Sequence, residues 1–210
     1  MSAMKPAEEA DDDVIQAMFQ ANLFGHMRVT HTILPCMRNQ GHGCITFTLS
    51  STTWTPLPLV SHYAASKAAL STYVESLDKE LRPLGVWCVA VECRGFPTNL
   101  GHPRDSSQAG FGSAGPAIDA YGPLFTSLVT KLATNPSAHM PGDVPKAAAR
   151  IIDIVKREGR AGEKTWAVRV ALGSDGMGSA KQRCEEQLKL IDMWRDSVAN
   201  KELFEFTTVL

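Results

Sequence analysis

Two short runs separated by one long helical pattern constrain this chain more than any other feature. Residues 44–49 read Cys-Ile-Thr-Phe-Thr-Leu, β-branched and aromatic, and residues 86–91 read Val-Trp-Cys-Val-Ala-Val, almost wholly apolar. Both are strand sequences, and a strand lacking polar alternation is one buried on both faces. Between them, from residue 63 to residue 82, Ala65, Ala68, Ala69, Leu70, Tyr73, Leu77 and Leu81 recur along one broad helical face, with Gly85 placed to close the helix. Strand, helix of about twenty residues, strand is the order a right-handed parallel crossover requires, so the fold class is α/β with a parallel sheet.

The flanking segments extend that plan. Residues 13–38 carry Val14, Ile15, Met18, Phe19, Leu23, Met27, Ile33 and Leu34 at helical spacing, read as two helices meeting near Asn22 with Gly25 as a break. Gly41 and Gly43 mark a turn, and Pro56 and Pro58 a loop. Residues 94–115 shift to Gly, Pro, Ser, Gln and charge. Helices are expected at 118–133 and 144–156, a strand at 165–171, and a last amphipathic helix at 178–199 with Leu188, Ile191 and Trp194 inward.

Composition excludes several classes. The 210 residues suit one domain, and 21 Lys+Arg against 22 Asp+Glu leave a net charge of -1, so no field draws the chain to nucleic acid. Five cysteines, Cys36, Cys44, Cys88, Cys93 and Cys184, show no C-x-x-C pair and fall in segments read as buried helix or strand, which points to a reduced, cytoplasmic setting. No stretch approaches the roughly 20 apolar residues of a spanning helix. The six His show no metal-ligand spacing, so no metal is expected.

Chemistry concentrates around the first strand and the helix after it. Tyr63 and Lys67 are four apart and share a helix face, close enough for an ammonium to sit beside a phenol and favour its ionised form. Ser50 lies at the carboxyl end of the preceding strand, the edge where ligands of open α/β sheets collect. Taken singly each feature is ordinary: Tyr and Lys at this spacing occur on many surface helices, and a strand-end Ser is often a turn residue.

Jointly, the stretch from Ser50 through Tyr63-x-x-x-Lys67 to Ala68-Ala69-Leu70 resembles the short-chain dehydrogenase/reductase family. Asn22-Leu23-Phe24-Gly25 is similar to its Asn-Leu-x-Gly segment, and Thr98-Asn99-Leu100 stands where its Pro-Gly-x-x-x-Thr segment ends, although Cys93 and Arg94 replace the Pro and Gly. The resemblance implies a partial Rossmann-like, doubly wound parallel sheet and hydride transfer between a nicotinamide and an alcohol or ketone carbon. It gives Tyr63 the role of acid or base, with Lys67 lowering its pKa and holding the ribose, Ser50 orienting the substrate oxygen and Asn22 anchoring a proton relay. Cofactor contacts fall to Tyr63, Lys67, Phe96, Thr98 and Arg28, a solvated helix face being the plainer account of Arg28. Residues 94–135 take the place of a substrate lid, with Tyr121, Phe125 and Leu128 on one helix face.

The family's glycine-rich pyrophosphate turn has no counterpart in these residues. The expectation is therefore that residues 1–210 correspond to the C-terminal portion of a family domain, with the first strand left as an edge and the helix at 23–37 short of packing partners. Two readings follow. One is an NADP(H)- or NAD(H)-dependent oxidoreductase acting on a ketone or secondary alcohol of a lipid-like, steroid-like or secondary-metabolite substrate. The other is a truncated, catalytically silent binding protein, and homodimerisation through the helices at 23–37 and 63–82 is the partner expectation.

Overall fold

The computed structural model describes residues 4–97, 115–134 and 140–198. In chain order its main elements are α1 (Asp12–Phe19), a π-helical turn (Gln20–Phe24), α2 (Gly25–Gln40), β1 (Gly43–Ser50), α3 (Ser61–Leu81), β2 (Val86–Cys93), α4 (Gly122–Thr134), α5 (Val144–Lys156), β3 (Arg169–Leu172) and α6 (Ser174–Val198). The described residues form a parallel sheet in the order β1-β2-β3, with Gly43 opposite Val86 and Ser50 opposite Cys93. The crossover from β1 through α3 to β2 is the one the sequence pattern requires.

Burial explains the two strand compositions. In β2 the residues Val86, Cys88, Val89, Ala90 and Val91 are all fully buried, as befits a central strand covered on both faces. In β1, Ile45, Phe47 and Leu49 are buried while Thr48 is exposed, the alternation of a strand covered on one face. Among the described residues β1 pairs with β2 alone. The core packs Leu70, Val74, Leu77 and Leu81 of α3 against Phe47, Leu49, Val86 and Cys88, with Leu23 from the π-helical turn joining them. Asp78 is buried within α3, where its Oδ1 accepts the Cys88 N–H at 2.9 Å and its Oδ2 pairs with Arg82, tying the helix to the centre of β2.

Four expectations are corrected. Residues 12–40 run as continuous helix rather than two helices meeting near Asn22: the Gly25 N–H reaches back to the Gln20 carbonyl, five residues away, so an extra residue is absorbed as a π turn and Gly25 ends nothing. The last strand pairs only over Arg169–Leu172, with Val168 adding one carbonyl to Ala90, and α6 begins already at Ser174. Leu188, Ile191 and Trp194 share a face of α6, yet they are 63%, 61% and 56% exposed. Periodicity identifies which residues share a face; it does not supply a partner for it. Cys36 and Cys184 are likewise exposed rather than buried.

The buried thiol in β2 gives the fold an alkaline limit. Burial, reinforced by the nearby Asp78 and Cys44, pushes Cys88 up to about 12, and burial also raises Cys44, Cys93, Tyr63 and Tyr73. These groups keep their protons in the folded chain where the unfolded chain would release them. Their contribution is complete below the ordinary thiol range and is lost as pH climbs towards about 12; each tenfold in proton affinity is worth about 1.4 kcal/mol. Lys67, lowered by burial, acts in the opposite sense as pH rises towards the ordinary lysine range. The expected result is a Tm that falls steeply above the thiol range in reducing buffer, with a shallower fall for Cys88→Ala; equal slopes would remove Cys88 as the cause.

Candidate active site

The carboxyl end of β1 places Ser50 at the rim of the sheet, directly opposite Cys93 of β2. A 3-10 turn, Ser51–Thr53, follows at once, and Ser50 caps it: its Oγ accepts from the Thr52 N–H at 3.3 Å and from Thr52 Oγ1 at 3.1 Å. This fixes the Ser50 rotamer while leaving its own O–H free to donate elsewhere. The first turn of α3 brings Tyr63 to it. Burial raises the phenol above its ordinary value, and a hydrogen bond with the Ser50 side chain pulls it part of the way back.

One helical turn further on, Lys67 Nζ donates to the Thr48 carbonyl at 3.1 Å, which draws the ammonium to the same strand end. Burial lowers Lys67, and it is close enough to Cys93 for each to favour the other's charged form. Behind them stands Asn22, 5% exposed, whose Nδ2 donates to Ser66 Oγ at 3.1 Å; Ser66 Oγ in turn donates to the Tyr63 carbonyl at 2.8 Å. Ser50, Tyr63 and Lys67 are thus gathered at one strand end, and Asn22 reaches the Tyr63 backbone through Ser66, although the sequence scatters the four over 46 positions. The sequence expectation that Lys67 lowers the Tyr63 pKa is not what governs the phenol here: burial dominates, and the compensating group is Ser50.

Comparison with known proteins follows the same lines. The family model for short chain dehydrogenases matches residues 1–109. The chain belongs to the short-chain dehydrogenase family. Among curated relatives it is 27% identical over 151 residues to the uncharacterized oxidoreductase YusZ of Bacillus subtilis, covering 72% of this chain and 52% of the relative. It is 32% identical over 93 residues to human 17-beta-hydroxysteroid dehydrogenase type 1, covering 44% of this chain and 28% of that one. The chain therefore spans about half or less of the length of these relatives. The crystal structure of a short-chain dehydrogenase from Streptomyces avermitilis superposes with a TM-score of 0.74 at 27% identity, over 93% of this chain and 66% of that one.

Other residues singled out from the family resemblance fare unevenly. Arg28 lies on the exposed side of α2, where Nη1 donates to Gln20 Oε1 at 3.0 Å. Phe96 packs against Gly142: a Cβ built there would stand 2.4 Å from the ring, and the Gly142 N–H donates to the Gly95 carbonyl at 2.8 Å. Phe96 thereby helps pin together the two ends of the excursion between β2 and α5. Thr98 and the rest of residues 98–114 lie outside the described residues. Arg94, which departs from the family's glycine, is a strut: Nη1 donates to Thr55 Oγ1 at 3.1 Å and Ser179 Oγ at 2.8 Å, while Nε pairs with Asp175 at 3.3 Å.

The far side of Tyr63 is apolar. Met4, Leu59 and Val60 form a buried cluster against which Tyr63, Phe125, Leu128 and Val129 pack, so Phe125 and Leu128 do share an inward face of α4. Leu59 adopts φ 66°, a left-handed conformation a leucine rarely takes, held by its carbonyl accepting the Lys5 N–H at 2.8 Å. Tyr121 does not join this face; its hydroxyl bonds Glu8, and Glu9 accepts the Ala117 and Ile118 N–H groups at 2.9 Å each. The segment before α1 is in this way fastened to the approach to α4.

Proposed function

We propose that this chain carries the proton-transfer side of an NAD(P)-dependent oxidoreductase site acting on the ketone or secondary alcohol of an apolar, lipid-like or steroid-like substrate. The observation that carries the reading is the gathering of three groups at one strand end: Ser50, set by the turn it caps, the Tyr63 phenol whose burial Ser50 partly offsets, and the Lys67 ammonium held on the Thr48 carbonyl. A phenol kept protonated by burial is a competent donor to a carbonyl oxygen, and Ser50 is placed to polarise that oxygen. In the reverse direction Tyr63 takes the alcohol proton, with the Ser50 hydroxyl placed to stabilise the phenolate. Asn22 and Ser66 fix the first turn of α3 from behind. The apolar cluster of Met4, Leu59, Val60, Phe125, Leu128 and Val129 supports an apolar substrate, with α4 (Gly122–Thr134) as the described part of the lid read over residues 94–135.

The chain fits the nicotinamide-riboside end of a dinucleotide: Lys67 uses one of its three donors on Thr48, which leaves two for ribose hydroxyls. Bound there, the nicotinamide would supply or accept the hydride. The second reading is a catalytically silent binding protein that dimerises through α2 and α3.

Titration with NADPH and NADH, followed by thermal shift and tryptophan quenching, separates the two: saturable binding supports the oxidoreductase, and none supports the silent protein. Where turnover of a ketone panel is found, Tyr63→Phe should lower kcat by about a hundredfold or more with cofactor affinity largely retained. Unchanged kcat would remove Tyr63 from its role.

A further inference from the structure

Glu92 has no exposed surface, although it lies near the end of a strand otherwise built of apolar side chains. A buried carboxylate is costly unless every oxygen is satisfied, and here both are. Oε1 accepts from Arg169 Nε at 3.0 Å and Nη2 at 2.6 Å, and from Ser71 Oγ at 3.3 Å. Oε2 accepts the indole N–H of Trp54. The Arg169 guanidinium completes the cluster, lying 3.9 Å over the Trp54 ring and pairing with Glu75 at 3.3 Å.

Every group on the β1 side of this cluster belongs to the turn that begins at Ser50. Thr53 Oγ1 stands 3.0 Å from the Ser50 carbonyl oxygen and 2.9 Å from Glu92 Oε1, its single proton shared between the two acceptors, and it accepts from Arg169 Nη2 at 3.4 Å. One hydroxyl therefore joins the backbone of Ser50 to the buried ion pair. Hydrophobic residues of similar volume would stabilise the same sheet about as well, so an ion pair kept here is better explained by the geometry it imposes than by stability.

We infer that Glu92, clamped by Arg169, is a positioning residue for Ser50: through Thr53 and Trp54 it holds the turn that aims the Ser50 hydroxyl at the Tyr63 phenol. Glu92 touches no reacting atom and acts on the site through Ser50. The inference rests on the Ser50–Tyr63 pairing of the proposed function and assigns what keeps that pairing in register.

The test needs neither substrate nor cofactor. Fluorotyrosine is incorporated in place of the three tyrosines, and the 19F signal of Tyr63 is titrated in the full chain, with Tyr73 and Tyr121 as internal references. Ser50→Ala should raise the Tyr63 midpoint by roughly 0.5 pH unit or more, the size of one lost neutral hydrogen bond. Glu92→Gln, which keeps the shape but loses an acceptor and the charge, should raise it comparably, and Ser50→Ala combined with Glu92→Gln should add little further. Thr53→Val, which cuts the link while sparing the Glu92–Arg169 pair, should do the same and serves if Glu92→Gln folds poorly. A Tyr63 midpoint unmoved by Thr53→Val and Glu92→Gln, with Ser50→Ala still shifting it, overturns the inference alone. No shift in Ser50→Ala overturns the inference together with the pairing on which the proposed function stands.

Discussion

Replacing Arg169 with alanine is expected to lower the unfolding free energy by about 3–5 kcal/mol, read from urea melts at neutral pH, because it strands the Glu92 carboxylate in the interior. Arg169 supplies two of the hydrogen bonds to Glu92 Oε1, and its side chain is only 25% exposed, so water cannot simply take its place. Pairing Arg169→Ala with Glu92→Gln should restore part of the loss, since the second change removes the charge that the first leaves unpaired. A small deficit would show that Glu92 does not depend on Arg169, and a double variant no more stable than Arg169→Ala would show that the stranded charge is not the cause.

This pair also marks where the sequence stops being legible. The β1–α3–β2 crossover is readable because each element announces itself locally: alternation in β1, unbroken apolar character in β2, and a helical stripe from Leu70 to Leu81 between them. Ser50, Tyr63, Lys67 and Asn22 are readable for a different reason, as a spaced set whose joint pattern is rarer than any member. Glu92 and Arg169 carry neither signal. They are 77 positions apart, each looks like one ordinary charge in a strand, and only the β2–β3 pairing brings them together. A buried-charge argument could have singled out Glu92, because an acidic residue directly after the apolar run Val89-Ala90-Val91 has to find a partner. It could not have named Arg169.

The π turn is illegible on the same grounds. Asn22 and Gly25 are residues that end helices in isolation, and the sequence signal for a break was sound locally. Packing overrides it: Leu23 is 7% exposed in the central core and Asn22 is bonded to Ser66 on α3, so the helix is held on both sides of the irregularity and takes in one extra residue instead of ending. The apolar face of α6 errs in the opposite direction, since a strong periodic signal there meets no covering element among the described residues.

At the other end of the sheet, Gly85→Ala is expected to cost on the order of 3 kcal/mol or more, and the adjacent Gly41→Ala only about 1 kcal/mol. The two glycines share nearly the same left-handed backbone, φ 74° for Gly41 and φ 78° for Gly85, so the intrinsic penalty of a side chain is the same at both. They differ in surroundings. A Cβ on Gly41 meets nothing within 4 Å, whereas one on Gly85 would stand 2.0 Å from the Gly41 carbonyl oxygen and 3.0 Å from its carbon. Backbone cannot rotate aside as a side chain can, so relief requires the entries to β1 and β2 to move apart where Gly43 and Val86 are paired. Ser50 and Cys93 close the same two strands seven residue steps away, about 23 Å along the sheet. The Gly85→Ala chain should therefore lose stability while the folded fraction keeps its Tyr63 fluorotyrosine signal unchanged. Equal costs at the two glycines would assign the effect to backbone conformation alone, and a displaced Tyr63 signal would show that the two ends of the sheet are mechanically coupled.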